Sequence, residues 1–103
     1  MSGQRLVVVS AADIEYVSAA DNYIEIFLRG GGRALLRRTL TAFERELDRR
    51  AFARVHRSHV VRVEAIAAIE SQPSGDATVV LRGGARLPMS RTYRAAVVGR
   101  VGR

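Results

Sequence analysis

The chain has 103 residues, 48% of them hydrophobic, and a formal net charge of +7; its sequence contains arginine but no lysine. The lack of cysteine excludes disulfides and thiolate metal sites, and no apolar run approaches the roughly 20 residues of a membrane-spanning helix. The apolar run near the start is too short for a secretory signal. Length and composition together predict one soluble, cytoplasmic domain over residues 1–103, with residues 1–4 outside its folded part.

The first part of the chain has the pattern of short strands joined by tight turns. Residues 6–9 and 14–17 are rich in β-branched side chains and predict strands. Residues 23–28 alternate regularly, which predicts a strand with one buried face. The glycines at 30–32 predict a turn, and residues 33–36 predict the returning strand of a hairpin.

The next segment predicts a helix from Thr39 or Thr41 to about residue 50. Thr41 and Glu44 have the spacing of a capping box, whereas a start at Thr39 would place Leu40 in the first turn. Apolar residues at helical spacing define a face that we expect in the core: Leu40, Phe43 and Leu47. Aromatic side chains are also expected in the core, not as stacking platforms: Tyr23, Phe27, Phe43 and Phe52.

The second part of the chain predicts further short strands and a last helix. The strands are expected at residues 52–55, 60–63, 66–69, 78–81 and 86–89. Gly83-Gly84 has the signature of a two-residue hairpin turn, and Pro88 places its strand at a sheet edge. Ser90 is expected to cap the last helix, which carries Tyr93, Val97 and Val101 along one side. These elements predict a mostly β fold of the α+β class, with antiparallel hairpins, one mid-chain helix and one C-terminal helix.

Residues 54–59 form a basic cluster that contains two Arg, two His and one Ser but no carboxylate. Neither a metal site nor an acid–base site obviously needs that mixture. A surface that binds phosphates and reads base edges needs such a mixture, because it requires several donors and fixed positive charge close together. Within this cluster, His56 is expected to be buried and to hold the loop in shape.

The last quarter of the chain has an uncompensated positive charge. No acidic residue follows Asp76, and Arg91 and Arg94 stand at the start of the last helix. The partial positive charge of a helix N-terminus disfavours cations there, so a bound phosphate would remove the conflict. Simple exposure to water explains the feature equally well.

Several separated motifs, in order, resemble a LytTR-type DNA-binding domain over about residues 5–98. The motifs comprise Ile14-Glu15-Tyr16-Val17-Ser18-Ala19-Ala20-Asp21-Asn22-Tyr23, then Arg38-Thr39-Leu40, Phe52-Ala53-Arg54-Val55-His56-Arg57-Ser58-His59-Val60-Val61 and Leu87-Pro88-Met89-Ser90-Arg91. The resemblance implies a compact antiparallel β structure whose loops, not one long recognition helix, enter successive major grooves and bend the DNA.

Residue by residue, the resemblance implies a set of DNA-contacting positions. They are Asn22 with its neighbour Tyr23, Arg57 with Ser58 and His59, Arg91 as a base-reading residue, and Arg94 for phosphate. The family often has Tyr or Phe in place of His59 and Asn in place of Arg62. We expect both differences to alter which bases or phosphates are met.

The resemblance also implies the partners. We expect the effector domain of a bacterial response regulator in a two-component system, which binds double-stranded DNA at paired repeats, as a homodimer on DNA. The input domain or sensor lies outside this chain, and no cofactor, metal or membrane is expected.

Catalysis by Ser58 and His56 is disfavoured, because no orienting carboxylate is nearby. A protein-interaction module that docks through the Pro88 edge stays as the alternative, and RNA binding lacks the aromatic pattern of RNA-recognition sheets.

Overall fold

The computed structural model describes residues 9–101, which form two antiparallel sheets and two α-helices. The strands are β1 Ile14–Ala20, β2 Tyr23–Leu28, β3 Arg33–Leu36, β4 Phe52–His56, β5 His59–Arg62, β6 Ile66–Ser71, β7 Ala77–Leu81 and β8 Arg86–Met89. The helices are α1 Leu40–Glu44 and α2 Arg91–Val101, and single 3₁₀ turns occur at Ala11–Asp13, Arg29–Gly31 and Val63–Ala65. The predicted fold class is confirmed.

The larger sheet has the strand order β3-β2-β1-β5-β4. Its two outer hairpins are joined at the centre, where Val17 of β1 pairs with Val60 of β5. The predicted alternation in β2 is confirmed, because Ile24 and Ile26 are buried while Tyr23 is exposed. The core beneath this sheet consists of Ile14, Val17, Ile24, Ile26, Leu40, Phe43, Leu47, Phe52 and Val60.

The smaller sheet has the order β6-β7-β8, so β8 with its Pro88 lies at an edge, as predicted. Helix α2 covers the core beside it and begins directly after Ser90. The side chain of Val97 is fully buried, and Tyr93 and Val101 pack against the same cluster, which confirms the predicted face. Strand β4 belongs to this second core through Val55, and it therefore ties the two sheets together.

Helix α1 is shorter than predicted, and its start is at Thr39. The Thr39 hydroxyl accepts from the Ala42 N–H at 3.1 Å, so the predicted capping box at Thr41 is wrong. Beyond Glu44 the chain turns more tightly, because the N–H groups of residues 46 and 47 donate to carbonyls three residues back. Leu47 is still buried, since this turn keeps it on the core side.

The turn at Gly83-Gly84 is wider than the predicted two residues. The Leu81 N–H donates to the Ala85 carbonyl at 2.8 Å, which leaves three residues in the loop. Gly84 adopts a φ of 104°, a conformation that an L side chain resists. Of the predicted strand at residues 6–9, residues 6–8 lie outside the described part of the chain, and Val9 is not in a strand.

Arg62 lies inside the fold, so its side chain is not exposed for direct contact with DNA. Its side chain is 8% exposed, and its guanidinium lies 4.5 Å from the centroid of the Phe52 ring. Its Nε donates to the carbonyl of Ile14 at 2.8 Å, and its Nη2 donates to that of Ala11 at 2.5 Å. Burial lowers the pKa of the Arg62 guanidinium, and the two carbonyls accept hydrogen bonds from two of its nitrogen atoms. Arg62 thus fastens the start of β1 to β5.

Candidate nucleic-acid interface

Three segments that carry sequence-predicted contact residues meet at one end of the fold. They are the β1–β2 turn at residues 21–22, the β4–β5 turn at residues 57–58, and the start of α2. The Ala19 N–H donates to the Ser58 carbonyl at 2.9 Å and links the first two segments. The N–H of Ser90, which precedes α2, donates to the carbonyl of residue 55 at 3.0 Å and links the second and third.

The β1–β2 turn presents Asn22 to solvent. The pairing of Ala20 with Tyr23 leaves only Asp21 and Asn22 in the turn, and Asp21 takes a φ of 55°. Asp tolerates this left-handed conformation better than most residues do. Within residues 9–101 the Asn22 side chain forms no hydrogen bond, so its amide is not used to brace its own turn.

Tyr23 is 43% exposed, and its predicted place in the core is wrong. It begins β2 on the face opposite Ile24, which is the buried residue of this pair. The guanidinium of Arg37 lies 5.9 Å from the centroid of the Tyr23 ring, within range of a cation–π contact. This contact places Arg37 beside the β1–β2 turn.

A groove of about 550 Å³ separates the two hairpin turns. Its lining includes Asn22, Tyr23, Arg37, Arg38, Thr39 and Arg57. Arg37 and Arg38 precede α1, and the acidic residues Glu44 and Glu46 follow them in the sequence. In the structure Arg38 does pair with Glu46, whereas Arg37 has no carboxylate partner among residues 9–101. Arg37 therefore adds unneutralised positive charge to the groove.

The β4–β5 turn is braced from inside. His56 Nδ1 accepts from the Ser58 N–H at 3.0 Å, so His56 holds the turn as predicted, although it is only partly buried. Arg54 donates from Nε to the carbonyl of His56 at 2.8 Å and from Nη2 to the carbonyl of Arg57 at 2.6 Å. The Arg57 side chain itself is exposed. Sequence reasoning missed Arg54, because its partners are set by the shape of the turn.

His59 is half-buried beneath the same turn. Its Nδ1 lies 2.8 Å from Ser18 Oγ, and its ring centroid lies 5.2 Å from that of His56. Burial, followed by the proximity of His56, lowers the pKa of His59 to about 4. His59 is therefore neutral at pH 7 and contributes no charge to this surface. Ser58 is partly buried and turns its carbonyl towards Ala19.

Arg91 and Arg94 differ in how the fold uses them. Arg91 is exposed at the first position of α2 and packs over Gly75, where an added Cβ would lie 2.8 Å from Arg91 Cδ. Arg94 is half-buried and donates to the Gly75 carbonyl at 3.1 Å and to Ser71 Oγ at 2.6 Å. Arg94 thus holds the β6–β7 loop, residues 72–76, against α2, while the Arg91 guanidinium stays accessible.

The contacts of the arginines divide them into committed and available groups. Those that form ion pairs are Arg33, Arg38, Arg50, Arg54 and Arg86. Further arginines that donate to backbone carbonyls are Arg62, Arg82, Arg94 and Arg100. In the described part of the chain, arginines with neither kind of contact are Arg29, Arg37, Arg45, Arg49, Arg57 and Arg91. Arg37, Arg57 and Arg91 lie in the groove or at the start of α2, so available guanidinium donors face outward at this end of the fold.

The described part of the chain contains neither a metal-binding cluster nor a membrane-spanning helix. Across residues 9–101, no group of three metal-ligating side chains occurs. No helix in that range is long and apolar enough to cross a bilayer. The end of the fold that carries the two hairpin turns and the start of α2 combines arginine, amide, hydroxyl and phenol groups. Proteins use these donors to contact phosphates and base edges.

The chain is similar to known proteins along most of its length. The sequence profile of the LytTr DNA-binding domain family matches residues 4–101. The sensory transduction protein LytT of Bacillus subtilis is 31% identical over 91 residues, which are 88% of this chain and 37% of that protein. LytT of Bacillus anthracis is 28% identical over 90 residues, which are 87% of this chain and 36% of that protein. The chain thus spans little more than a third of the length of these relatives.

A solved structure has the same fold. It is a LytTr DNA-binding domain from Bacillus cereus, taken from a protein described as a response regulator. The two structures align with a TM-score of 0.81 at 25% sequence identity, over 92% of this chain and 86% of the other.

Proposed function

Because the chain belongs to the LytTr DNA-binding domain family, we propose that it reads specific double-stranded DNA with the two hairpin turns and the start of α2. The family resemblance of the sequence motifs is confirmed, and the chain is a DNA-binding domain of the kind found in response regulators, not an enzyme. The observation that carries the proposal is the position of Arg37, Arg57 and Arg91, whose guanidinium groups are uncommitted at one end of the fold.

The proposed roles follow from the chemistry of each side chain. Arg57 and Arg91 are exposed and suit bidentate contacts to guanine O6 and N7 in the major groove. Asn22 has a free amide that suits an adenine edge. Arg37 and Tyr23 flank the groove and suit the phosphate backbone between the two turns.

The remaining predicted contacts are supporting ones. Arg94 uses two donors within the fold, and a guanidinium has five, so donors are left for a phosphate. Ser58 offers its hydroxyl from the turn. His59 is neutral, and we propose that its ring contacts DNA as a hydrogen-bonding group without charge.

We further propose that the domain acts in the cytoplasm as the effector part of a longer bacterial transcriptional regulator. The supporting observation is that the chain spans little more than a third of LytT proteins described as sensory transduction proteins. An input domain or sensor would then control it, and two copies would occupy paired repeats on the DNA.

Selection of bound sequences from a random duplex pool tests the proposal directly. We expect a repeated motif to be enriched, with its repeat spacing near one helical turn or a multiple of it. Affinity for the selected duplex should fall steeply with salt, since each neutralised phosphate adds about 0.9 to the slope of log K against log salt concentration. A flat salt response, or no duplex binding at low salt, would contradict the proposal and favour the protein-interaction alternative.

A further inference from the structure

The β4–β5 turn is held by one side chain that reaches it from its own strand. Arg54 lies in β4, and its Nε and Nη2 donate to the carbonyls of His56 and Arg57. These carbonyls belong to the residues on either side of the His56–Arg57 peptide link, so a single planar guanidinium fixes the backbone from which the Arg57 side chain extends.

The third guanidinium nitrogen of Arg54 is also occupied. Nη1 donates to Glu44 Oε1 at 2.7 Å, and the Arg54 side chain is only 14% exposed. Glu44 is the last residue of α1, whose first turn lines the groove. The contact therefore joins helix α1 to the β4–β5 turn through the side chain of Arg54.

Most of the donor capacity of Arg54 is directed into the fold, although its side chain lines the groove together with that of Arg57. Each of its three nitrogen atoms already donates to a protein oxygen at 2.6 to 2.8 Å, and little of the side chain reaches solvent. Arg57 is the opposite case, since its backbone carbonyl is held while its side chain is exposed. The neighbouring arginines thus have separate tasks.

We propose that Arg54 is a positioning residue for base reading, which orients Arg57 towards the DNA and is itself aligned by Glu44. This inference rests on the proposed function, because it assigns to Arg54 a share of sequence specificity exerted through Arg57. Bidentate recognition depends on the direction as well as the charge of a guanidinium. A loosened turn should therefore lower the affinity for the correct sequence more than the affinity for random DNA.

Arg54→Lys is the informative variant, because it keeps the charge but cannot span both carbonyls and Glu44 at once. We expect its affinity for the selected duplex to fall about tenfold, while its affinity for random duplex and its salt slope stay nearly unchanged. Arg50→Lys is the matched control, since the Arg50–Asp48 pair is exposed and lies away from the groove. Parallel losses on selected and random DNA, or no loss on either, would overturn the proposal.

A double-mutant cycle separates positioning from general stability. If Arg54 acts through Arg57, then Arg54→Lys should cause no further loss on the selected duplex once Arg57→Ala is present. Additive losses in the double variant would show that Arg54 acts independently. Glu44→Gln removes the charge behind Arg54 but keeps an acceptor, so a loss of only about twofold is expected.

Amide hydrogen exchange without DNA keeps the inference testable even if the domain fails to bind duplex. In Arg54→Lys, amide exchange should accelerate at two N–H groups. The Ser58 N–H donates to His56 Nδ1, and the Ala19 N–H donates to the Ser58 carbonyl. Exchange at Val17 and Val60 in the sheet centre should stay as in the parent. Unchanged exchange at Ser58 would overturn the positioning role, whereas failure of the parent domain to bind any duplex would overturn only the proposed function.

Discussion

The imidazole of His59 and the hydroxyl of Ser18 join β5 to β1 directly beside the two hairpin turns, with 2.8 Å between His59 Nδ1 and Ser18 Oγ. Either protonation state of the ring can form this bond, since a serine hydroxyl both donates and accepts. Burial, however, favours the neutral ring and lowers the pKa of His59 to about 4, so protonation of His59 is unfavourable in the folded chain. The pair of strands under the predicted DNA-facing surface is therefore sensitive to acid.

The first prediction concerns stability between pH 7 and pH 5. The pKa of His59 is about 4 in the folded chain, against an ordinary value of about 6.5, so the unfolded chain binds more protons between these values. The free energy of unfolding should therefore fall as pH falls below about 6.5. We expect a loss on the order of 1 kcal/mol by pH 5, after allowance for the partial exposure of the ring.

Urea unfolding at the two pH values measures this loss. His59→Gln is the matched control, since glutamine keeps a hydrogen-bonding side chain but does not titrate. The pH dependence should shrink in that variant. If His59→Gln loses as much stability as the parent between pH 7 and pH 5, another group is responsible.

The second prediction concerns the contact between Gly75 and Arg91. Gly75 has a φ of 96°, and an added Cβ would lie 2.8 Å from Arg91 Cδ. Gly75→Ala should therefore strain the β6–β7 loop by about 1 kcal/mol and displace the Arg91 side chain. Affinity for the selected duplex should fall more than affinity for random duplex.

Gly84→Ala provides the matched control for backbone strain. Gly84 has a φ of 104°, but a Cβ added there would meet no atom within 4 Å. Gly84→Ala should lower the free energy of unfolding, measured in urea, by about as much as Gly75→Ala does, without altering sequence preference. Equal changes in preference in both variants would mean that Arg91 does not depend on Gly75.

The third prediction concerns the buried Arg62. Arg62→Leu removes the donors to the Ile14 and Ala11 carbonyls and the contact with the Phe52 ring. We expect a loss of about 2 to 3 kcal/mol in the free energy of unfolding, because two carbonyls lose their partner.

The same variant tests whether Arg62 has any part in DNA binding. Affinity per folded molecule should be unchanged, since Arg62 is buried and away from the groove. A specific loss of affinity in fully folded Arg62→Leu protein would contradict its structural assignment.

The fourth prediction separates base reading from phosphate contact. Arg57→Ala and Arg91→Ala should each cost about 1 to 3 kcal/mol on the selected duplex and relax preference at particular positions. Arg37→Ala should weaken all sequences alike and lower the salt slope by about 1. Arg45→Ala is the control, since Arg45 is exposed and uncommitted but does not line the groove. Equal losses on selected and random DNA for Arg57→Ala and Arg91→Ala would mean that neither reads bases.

Strand positions and core faces could be predicted from the sequence because they depend on local periodicity. Ile24 and Ile26 alternate with polar or exposed positions, and Val97 lies one turn from its apolar neighbours, so the buried faces were visible in the pattern. The length of α1 was not visible, because the turn after Glu44 depends on tertiary contacts. Tyr23 was misplaced because its aromatic side chain favours burial, whereas the alternation of β2 puts it with Glu25 on the face opposite the buried Ile24.

The roles of the arginines could be predicted only in part. The motifs indicated Arg57 and Arg91, but whether an arginine is available depends on partners far along the chain. Arg62 reaches Ile14, and Arg100 donates to the carbonyls of Arg49 and Phe52, about fifty residues away. Such partners meet only after the sheets have assembled, so sequence spacing alone could not separate committed arginines from available ones.

The turns that carry Asn22 and Arg57 each contain just two residues, and paired strands fix both of them. The distance between these side chains is consequently set by the hydrogen-bond ladder, not by loop flexibility. On the proposed function, exchange of either side chain would change the base that is recognised but not the position along the duplex where recognition occurs. The same scaffold could therefore recognise different target sequences while the spacing between its two turns stays constant.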